Sequence, residues 1–244
     1  MPKFKTYDDR IAHLHKVSDY HFDPFRADQP LNIIGHFTGA DWMPEVERLE
    51  QEAKRFGFGE CCVNHKPGDV NYQFDLAATD EQNYSQEHVF VDRIGTPAIN
   101  RKSAPILYQM VDWFELEAGT ISPRLHIQRP GQVFPIHVDG LTSYRRNSAE
   151  RADMYSHPDS WTRVQIQLKD WIWGHFWGVG NQVWAQWKAG EIMYHPWWIY
   201  PHGTANAGFS PRYSLQITGK TTEATREKLT RSKLTIPVVA DPSS

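Results

Sequence analysis

The sequence predicts a mainly β domain, a barrel or sandwich, flanked by α-helices that come from its N-terminal half. Three observations carry that prediction. From residue 120 to about residue 221 the chain runs as short stretches of alternating polarity separated by turn residues. Two of those stretches present one wholly polar face, as strands around a wet interior do. Helical periodicity is confined to two segments before residue 120 and one after residue 220.

Taken in order, residues 41–57 (DWMPEVERLEQEAKRFG) predict an amphipathic helix. Asp41 is placed to cap it, Pro44 lies in its first turn, Val46, Leu49, Ala53 and Phe56 form the apolar stripe, and Gly57 ends it. A second helix is expected over residues 104–117, started by Ser103 and Pro105 and buried through Ile106, Leu107, Met110, Val111 and Phe114. Residues 59–100 are polar, mixed and without a clear period.

The β region follows. RLHIQR runs to the turn pair Pro130-Gly131, and QVFPIHVD continues as the next strand. TRVQIQLKD sets Val164, Ile166 and Leu168 on one face against Arg163, Gln165 and Gln167 on the other. NQVWAQWKAGEIMYH supplies further strands, and PRYSLQITG alternates Arg212, Ser214 and Gln216 against Tyr213, Leu215 and Ile217. TTEATREKLTRSKL predicts a last helix capped by Thr221 or Thr222, and PVVADPSS a frayed tail. The expectation is one domain over residues 1–244: a helical and mixed support at 1–119, the β core at 120–220, and a C-terminal helix and tail at 221–244.

Composition narrows the partners. The net charge of -3 and pI near 6.4 arise from intermixed acids and bases with no basic tail, so neither nucleic acid nor an anionic membrane is expected to bind. No run approaches the roughly 20 apolar residues of a membrane span, and MPKFKTYDDRIAHLH lacks a signal-peptide core, which predicts a cytoplasmic protein. Cys61 and Cys62 are adjacent, too close for an ordinary disulfide framework, and are read as reduced and structural. Ten tryptophans are present and seven fall between Trp171 and Trp198, a density that suits pocket walls or a β core.

One constellation points to chemistry. His137 and Asp139 stand two positions apart, so on a strand their side chains leave the same face. His202 follows a strand-like segment and is placed to bring a third ligand. Two histidines and one carboxylate on one face of an octahedral metal leave positions open for a bidentate co-substrate and for oxygen. Ten residues beyond His202 come Arg212 and then Ser214, a guanidinium and a hydroxyl pointing the same way, which suit the distal carboxylate of a dicarboxylic keto acid.

In these residues the chain resembles the Fe(II)/2-oxoglutarate-dependent oxygenases of the double-stranded β-helix (jelly-roll, cupin-like) fold. His137-Val138-Asp139, then His202, then Arg212-Tyr213-Ser214 read as that family's His-x-Asp, distal His and Arg-x-Ser, within a resemblance covering roughly residues 120–220. The closing stretch, His202 followed by Asn206-Ala207-Gly208 and a Pro-Arg strand, is similar to aspartyl/asparaginyl β-hydroxylase-like members. Asp139 departs from the vertebrate-type members of that group, which lack the metal carboxylate. The resemblance implies Fe(II), 2-oxoglutarate and O2 as cofactor and co-substrates, and hydroxylation of an unactivated C–H bond with release of succinate and CO2. A small residue stands in place of the carboxylate in halogenating relatives, so Asp139 argues against halogenation.

Other residues carry two readings each. Gln128 and His126 share a face with Arg124, and Arg163, Gln165 and Gln167 form a polar row; both sets either line the co-substrate pocket or satisfy one another inside the barrel. Tyr144, Arg145 and Arg146 follow the ligand strand, where a loop at the barrel mouth either meets a carboxylate-bearing substrate or is simply solvated. His175 and His195 are alternative ligands to His202, but neither is followed by Arg-x-Ser at the right distance. Two other functional classes stay open: a cupin-like metalloprotein, such as an isomerase or a dioxygenase that does not use 2-oxoglutarate, and a non-catalytic β-sandwich that binds glycan or peptide through its tryptophans. The expected partner is a small-molecule or peptide substrate; oligomeric state leaves no mark on the sequence.

Overall fold

A computed structural model describes residues 31–54, 92–95, 98–137, 156–198, 200–231 and 233–240, with Asp9 and Ala12. The chain lays down strand β1 (Asn32–Gly39), helix α1 (Met43–Lys54), strand β2 (Asp92–Ile94) and helix α2 (Pro105–Trp113). Strands β3 (Ser122–Gln128), β4 (Val133–His137), β5 (Trp161–Gln167), β6 (His175–Val179), β7 (Gln182–Trp184), β8 (Glu191–Tyr194), β9 (His202–Asn206) and β10 (Arg212–Lys220) follow. Helix α3 (Glu223–Thr230) and strand β11 (Leu234–Val238) close the described chain.

The strands form two sheets, β11-β1-β8-β5-β10-β3-β2 and β4-β9-β6-β7. This is a double-stranded β-helix with flanking helices from the N-terminal half, the fold class expected from the sequence. Alternation sorts the larger sheet into two unlike faces. On one, Leu125, Ile127, Val164, Ile166, Leu215 and Ile217 are fully buried with Val46 and Leu49 of α1 and Leu107, Met110 and Val111 of α2. On the other stand the polar residues of β3, β5 and β10, where Arg212 meets the Trp177 ring and Gln128 bonds to Thr204, both of the smaller sheet. The larger apolar core therefore lies outside the barrel, and the interior holds the polar groups beside a smaller apolar cluster of Trp177, Val179, Trp184, Trp187 and Met193.

Both N-terminal helices form on their expected stripes, but α2 stops at Trp113, with Phe114 as its C-cap, short of the expected residue 117, and Phe56 and Gly57 lie outside the described residues. Asp41 Oδ1 accepts from Met43 N–H at 3.0 Å, and Trp42 Nε1 donates to Leu168 O at 2.9 Å, which seats α1 on the sheet. The start of α2 differs from the sequence reading. Ser103 does not cap it; its Oγ donates to Ala98 O and accepts from Asn100 N–H. Ala104 is the N-cap residue and has no capping side chain, so the free amides at the helix start are met by Glu45 of α1, which accepts from Ile106 N–H at 2.8 Å and Leu107 N–H at 2.9 Å. A carboxylate there also faces the positive end of the helix dipole.

The C-terminal region needs the larger correction. Thr222 caps α3 through a reciprocal pair with Thr225, as expected, but the helix stops at Thr230. A strand, β11, runs from Leu234 at the end of the expected helix to Pro237 and Val238 at the start of the expected frayed tail; it pairs in parallel with β1, Gly35 opposite Leu234 through Gly39 opposite Val238, and buries Ile236 and Val238. Gly35 makes this pairing possible, since a Cβ there would lie 2.2 Å from Leu234 O. The β1 strand itself falls in a stretch to which the sequence reading gave no structure. Among the described residues no helix is long and apolar enough to cross a membrane. Cys61 and Cys62 lie outside the described residues.

Candidate active site

Strand pairing lines up the polar face as a ladder of rows. Arg212 of β10 stands opposite Gln128 of β3. One row on, Ser214 lies between His126 and Gln167; next, Gln216 lies between Arg124 and Gln165; then Thr218 lies between Ser122 and Arg163. All of β3, β5 and β10 is without Asp or Glu, so the interior face of the three central strands is cationic and neutral-polar only.

Arg212 is 3% exposed. Its Nε and Nη2 donate to Gln128 Oε1 at 3.1 and 2.8 Å, its guanidinium carbon sits 4.6 Å from the Trp177 ring centroid, and Nη1 has no partner. Burial pushes its pKa down to about 9, still charged at neutral pH. Gln128 in turn donates from Nε2 to Thr204 Oγ1 at 3.0 Å, tying the arginine to β9. The Ser214 hydroxyl and both amide atoms of Gln167 are buried without a hydrogen bond.

Thr204 is two residues from His202 on β9, and strand geometry sends both side chains inward. His202 is 7% exposed, and its Nδ1 lies 3.1 Å from Tyr200 O. With Nδ1 donating to that carbonyl, Nε2 carries the lone pair, the tautomer in which imidazole binds a metal. Directly across the β4–β9 ladder the Cα partner of His202 is His137, with a register shift between Phe134 and His137. The two histidines of the expected triad therefore occupy facing positions on neighbouring strands. Asp139, Tyr144, Arg145 and Arg146 lie outside the described residues. Among the described residues no three His, Cys, Asp or Glu converge on one point.

The rest of the polar row is distributed along the barrel. Gln165 Nε2 donates to Gln216 Oε1 at 2.8 Å, and Arg163 Nε donates to Thr218 Oγ1 at 3.0 Å with its guanidinium 5.2 Å from the Trp197 centroid. Arg163 is six residues along β10 from the Arg212 row, roughly 20 Å at the usual strand rise. The structure thus gathers Arg212, Gln128 and Ser214, and sets Gln165 and Arg163 progressively farther away. His195 packs edge-on to His202 with ring centroids 4.9 Å apart. His175 stacks on Trp187, its Nε2 lies 3.0 Å from Ser210 O, and burial lowers its pKa.

Sequence reasoning missed Thr204 and Asn206. Asn206 donates from Nδ2 to Gln128 O at 2.8 Å and to Ser210 O at 2.9 Å, bracing the strand that carries Gln128. The period of two from His202 could have nominated both, but not their partners on the opposite sheet. Most of the tryptophan group is structural: Trp177, Trp184 and Trp187 form a buried cluster with Val179 and Met193, while Trp173 is 80% exposed.

No protein-family model matches the chain, and no curated protein matches it. Solved structures do. The non-heme monooxygenase ThoJ, solved as a nickel complex, is 14% identical over 79% of this chain and 74% of its own, with a TM-score of 0.39. A cupin 2 conserved barrel domain protein from Salinispora arenicola is 11% identical over 62% of this chain and 92% of its own, TM-score 0.30. TT1209 from Thermus thermophilus is 18% identical over 43% of this chain and 78% of its own, TM-score 0.28.

Proposed function

We propose that this chain is an Fe(II)- and 2-oxoglutarate-dependent dioxygenase that hydroxylates an unactivated C–H bond of an amino acid, peptide or small metabolite. The overall reaction would convert substrate, 2-oxoglutarate and O2 into hydroxylated substrate, succinate and CO2. The observation that carries it is the buried Arg212, held by Gln128 on one edge and bare at Nη1, and joined through Gln128 to Thr204 on the His202 strand of the facing sheet.

A buried guanidinium with no acid on its own or the two adjoining strands calls for an anionic ligand, and a carboxylate matches its planar fork. His137, Asp139 and His202 would hold the metal, a donor set of two imidazoles and one carboxylate that suits Fe(II). The bound metal would supply open positions for the keto acid and dioxygen and the oxidising power for C–H cleavage. The protein's part is placement. Arg212 and Ser214 orient the distal carboxylate, Thr204 and Gln128 fix the arginine, and the Tyr200 carbonyl fixes the His202 ring. Trp177, Trp184 and Trp187 keep water from the adjoining wall. Tyr144, Arg145 and Arg146 are assigned to the substrate, on charge alone: two arginines favour a carboxylate-bearing molecule.

The test is an anaerobic titration with Fe(II) and 2-oxoglutarate, followed by the weak visible charge-transfer band of the chelate, and then succinate release on admitting air. A chain that binds the metal but shows neither signal would instead be a cupin-like metalloprotein of another activity.

A further inference from the structure

We infer that Gln167 is the third arm of the carboxylate clamp, its amide N–H joining Arg212 and Ser214 on the distal carboxylate of a dicarboxylic keto acid; this rests on the reading above. Gln167 is fully buried, and Ser214 is its Cα partner across the β5–β10 ladder. Its backbone is pinned, because Gly190 N–H donates to Gln167 O at 2.6 Å. Yet neither atom of its side-chain amide has a partner. Buried polar groups are bonded in the great majority of cases, so an idle buried amide asks for an explanation.

The neighbouring glutamines sharpen the contrast. Gln128 uses both ends of its amide, on Arg212 and on Thr204, and Gln165 donates to Gln216. Among the described residues only the Ser214 row has a wholly idle glutamine amide, and the idle atoms around it are contiguous along the interior face. The donors among them include Arg212 Nη1 one row away, Ser214 Oγ beside it, and, on the facing sheet, the Nε1 of Trp177, whose ring lies under Arg212. Four donors without acceptors, on strands that hold no carboxylate of their own, are the complement of an acceptor-only group. A carboxylate offers about four lone-pair sites to such donors.

The remaining Gln167 atom, Oε1, accepts from a water or hydroxyl that enters with the ligand. Because an amide is neutral, the clamp completes its bonding without adding charge. Because it acts on the distal carboxylate, a keto acid that lacks one gains nothing from it.

The experiment uses the full chain loaded with Mn(II) without oxygen. Calorimetry measures binding of 2-oxoglutarate and of 2-oxobutyrate, a monocarboxylate control, and thermal denaturation is followed without keto acid. Q167L is expected to weaken 2-oxoglutarate by about 10- to 100-fold and to leave 2-oxobutyrate unchanged. It is also expected to raise the Tm of the ligand-free chain by about 2–4 °C, since leucine puts no bare polar atom in the row. Q167E sets like charges together and weakens 2-oxoglutarate more than Q167L does. Undiminished affinity in Q167L, or a lowered Tm, overturns the inference and leaves the function standing. A wild-type chain that binds no 2-oxoglutarate overturns both.

Discussion

Replacing Arg212 with methionine separates a ligand-binding arginine from a structural one. The fall in its pKa from 12.5 to about 9 is caused by burial. At about 1.36 kcal/mol per pH unit, it corresponds to a penalty on the order of 5 kcal/mol for keeping the cation in the ligand-free barrel. Against this stand two hydrogen bonds to Gln128 Oε1 and the stacking on Trp177. Together these are worth about 4–5 kcal/mol. The two sides are of similar size and R212M breaks no ion pair, so the ligand-free chain should lose only the roughly 1–3 kcal/mol of leaving Gln128 Oε1 without its donors, whereas breaking a buried ion pair costs about 3–5. Urea denaturation with and without 2-oxoglutarate is the assay. At 100 times Kd the keto acid stabilises wild type by about 2.7 kcal/mol, and R212M should show none of that gain. A loss above about 3 kcal/mol without ligand, or a ligand shift surviving in R212M, refutes the reasoning.

Glu45→Ala strips two N-terminal amides of α2 of their acceptor. It should cost about 2–4 kcal/mol in chemical denaturation, with Glu45→Gln losing roughly half; an unchanged midpoint would sink the cap assignment. Gly35→Ala drives a methyl group into the backbone of β11, and protease cleavage near residues 231–234 should quicken while the tryptophan cluster keeps its fluorescence. Under equilibrium dialysis His202→Ala should abolish Fe(II) and Mn(II) binding with a native circular dichroism spectrum; full metal retention would remove His202 from the site. His175 titrates below its ordinary value of 6.5 because of burial, with the Arg212 charge adding to the effect. The unfolded chain therefore binds the extra proton first, so stability falls as pH drops below 6.5, and His175→Phe should flatten that slope.

Much of the barrel was legible because its evidence is local. The alternation of Arg163, Gln165 and Gln167, and of Arg212 and Ser214, specifies strand, face and polarity in a few residues, and the structure puts those faces inward. The β11 strand was hidden for the opposite reason. Its pairing with β1 spans some two hundred residues, it contains Pro237, and its apolar face is only Leu234, Ile236 and Val238. The Glu45 cap is invisible in the same way: local rules nominate Ser103, and a carboxylate from another helix takes the place. At the site, spacing could nominate His202, Arg212 and Ser214, but the Gln128–Thr204 link crosses between sheets and leaves no period in the chain.

The parallel pairing of β1 with β11 also bears on how the molecule assembles. A nascent chain can form the β3–β4 turn, where Gln132 N–H donates to Arg129 O, or the α3 capping box from neighbours in sequence. One edge of β1 instead stays bare until residue 238 has been made. Until then Ile34 and Phe37 sit in a strand that another chain can extend. Slowed synthesis, or a fusion that delays docking of the last strand, would therefore favour strand exchange between copies over loss of secondary structure.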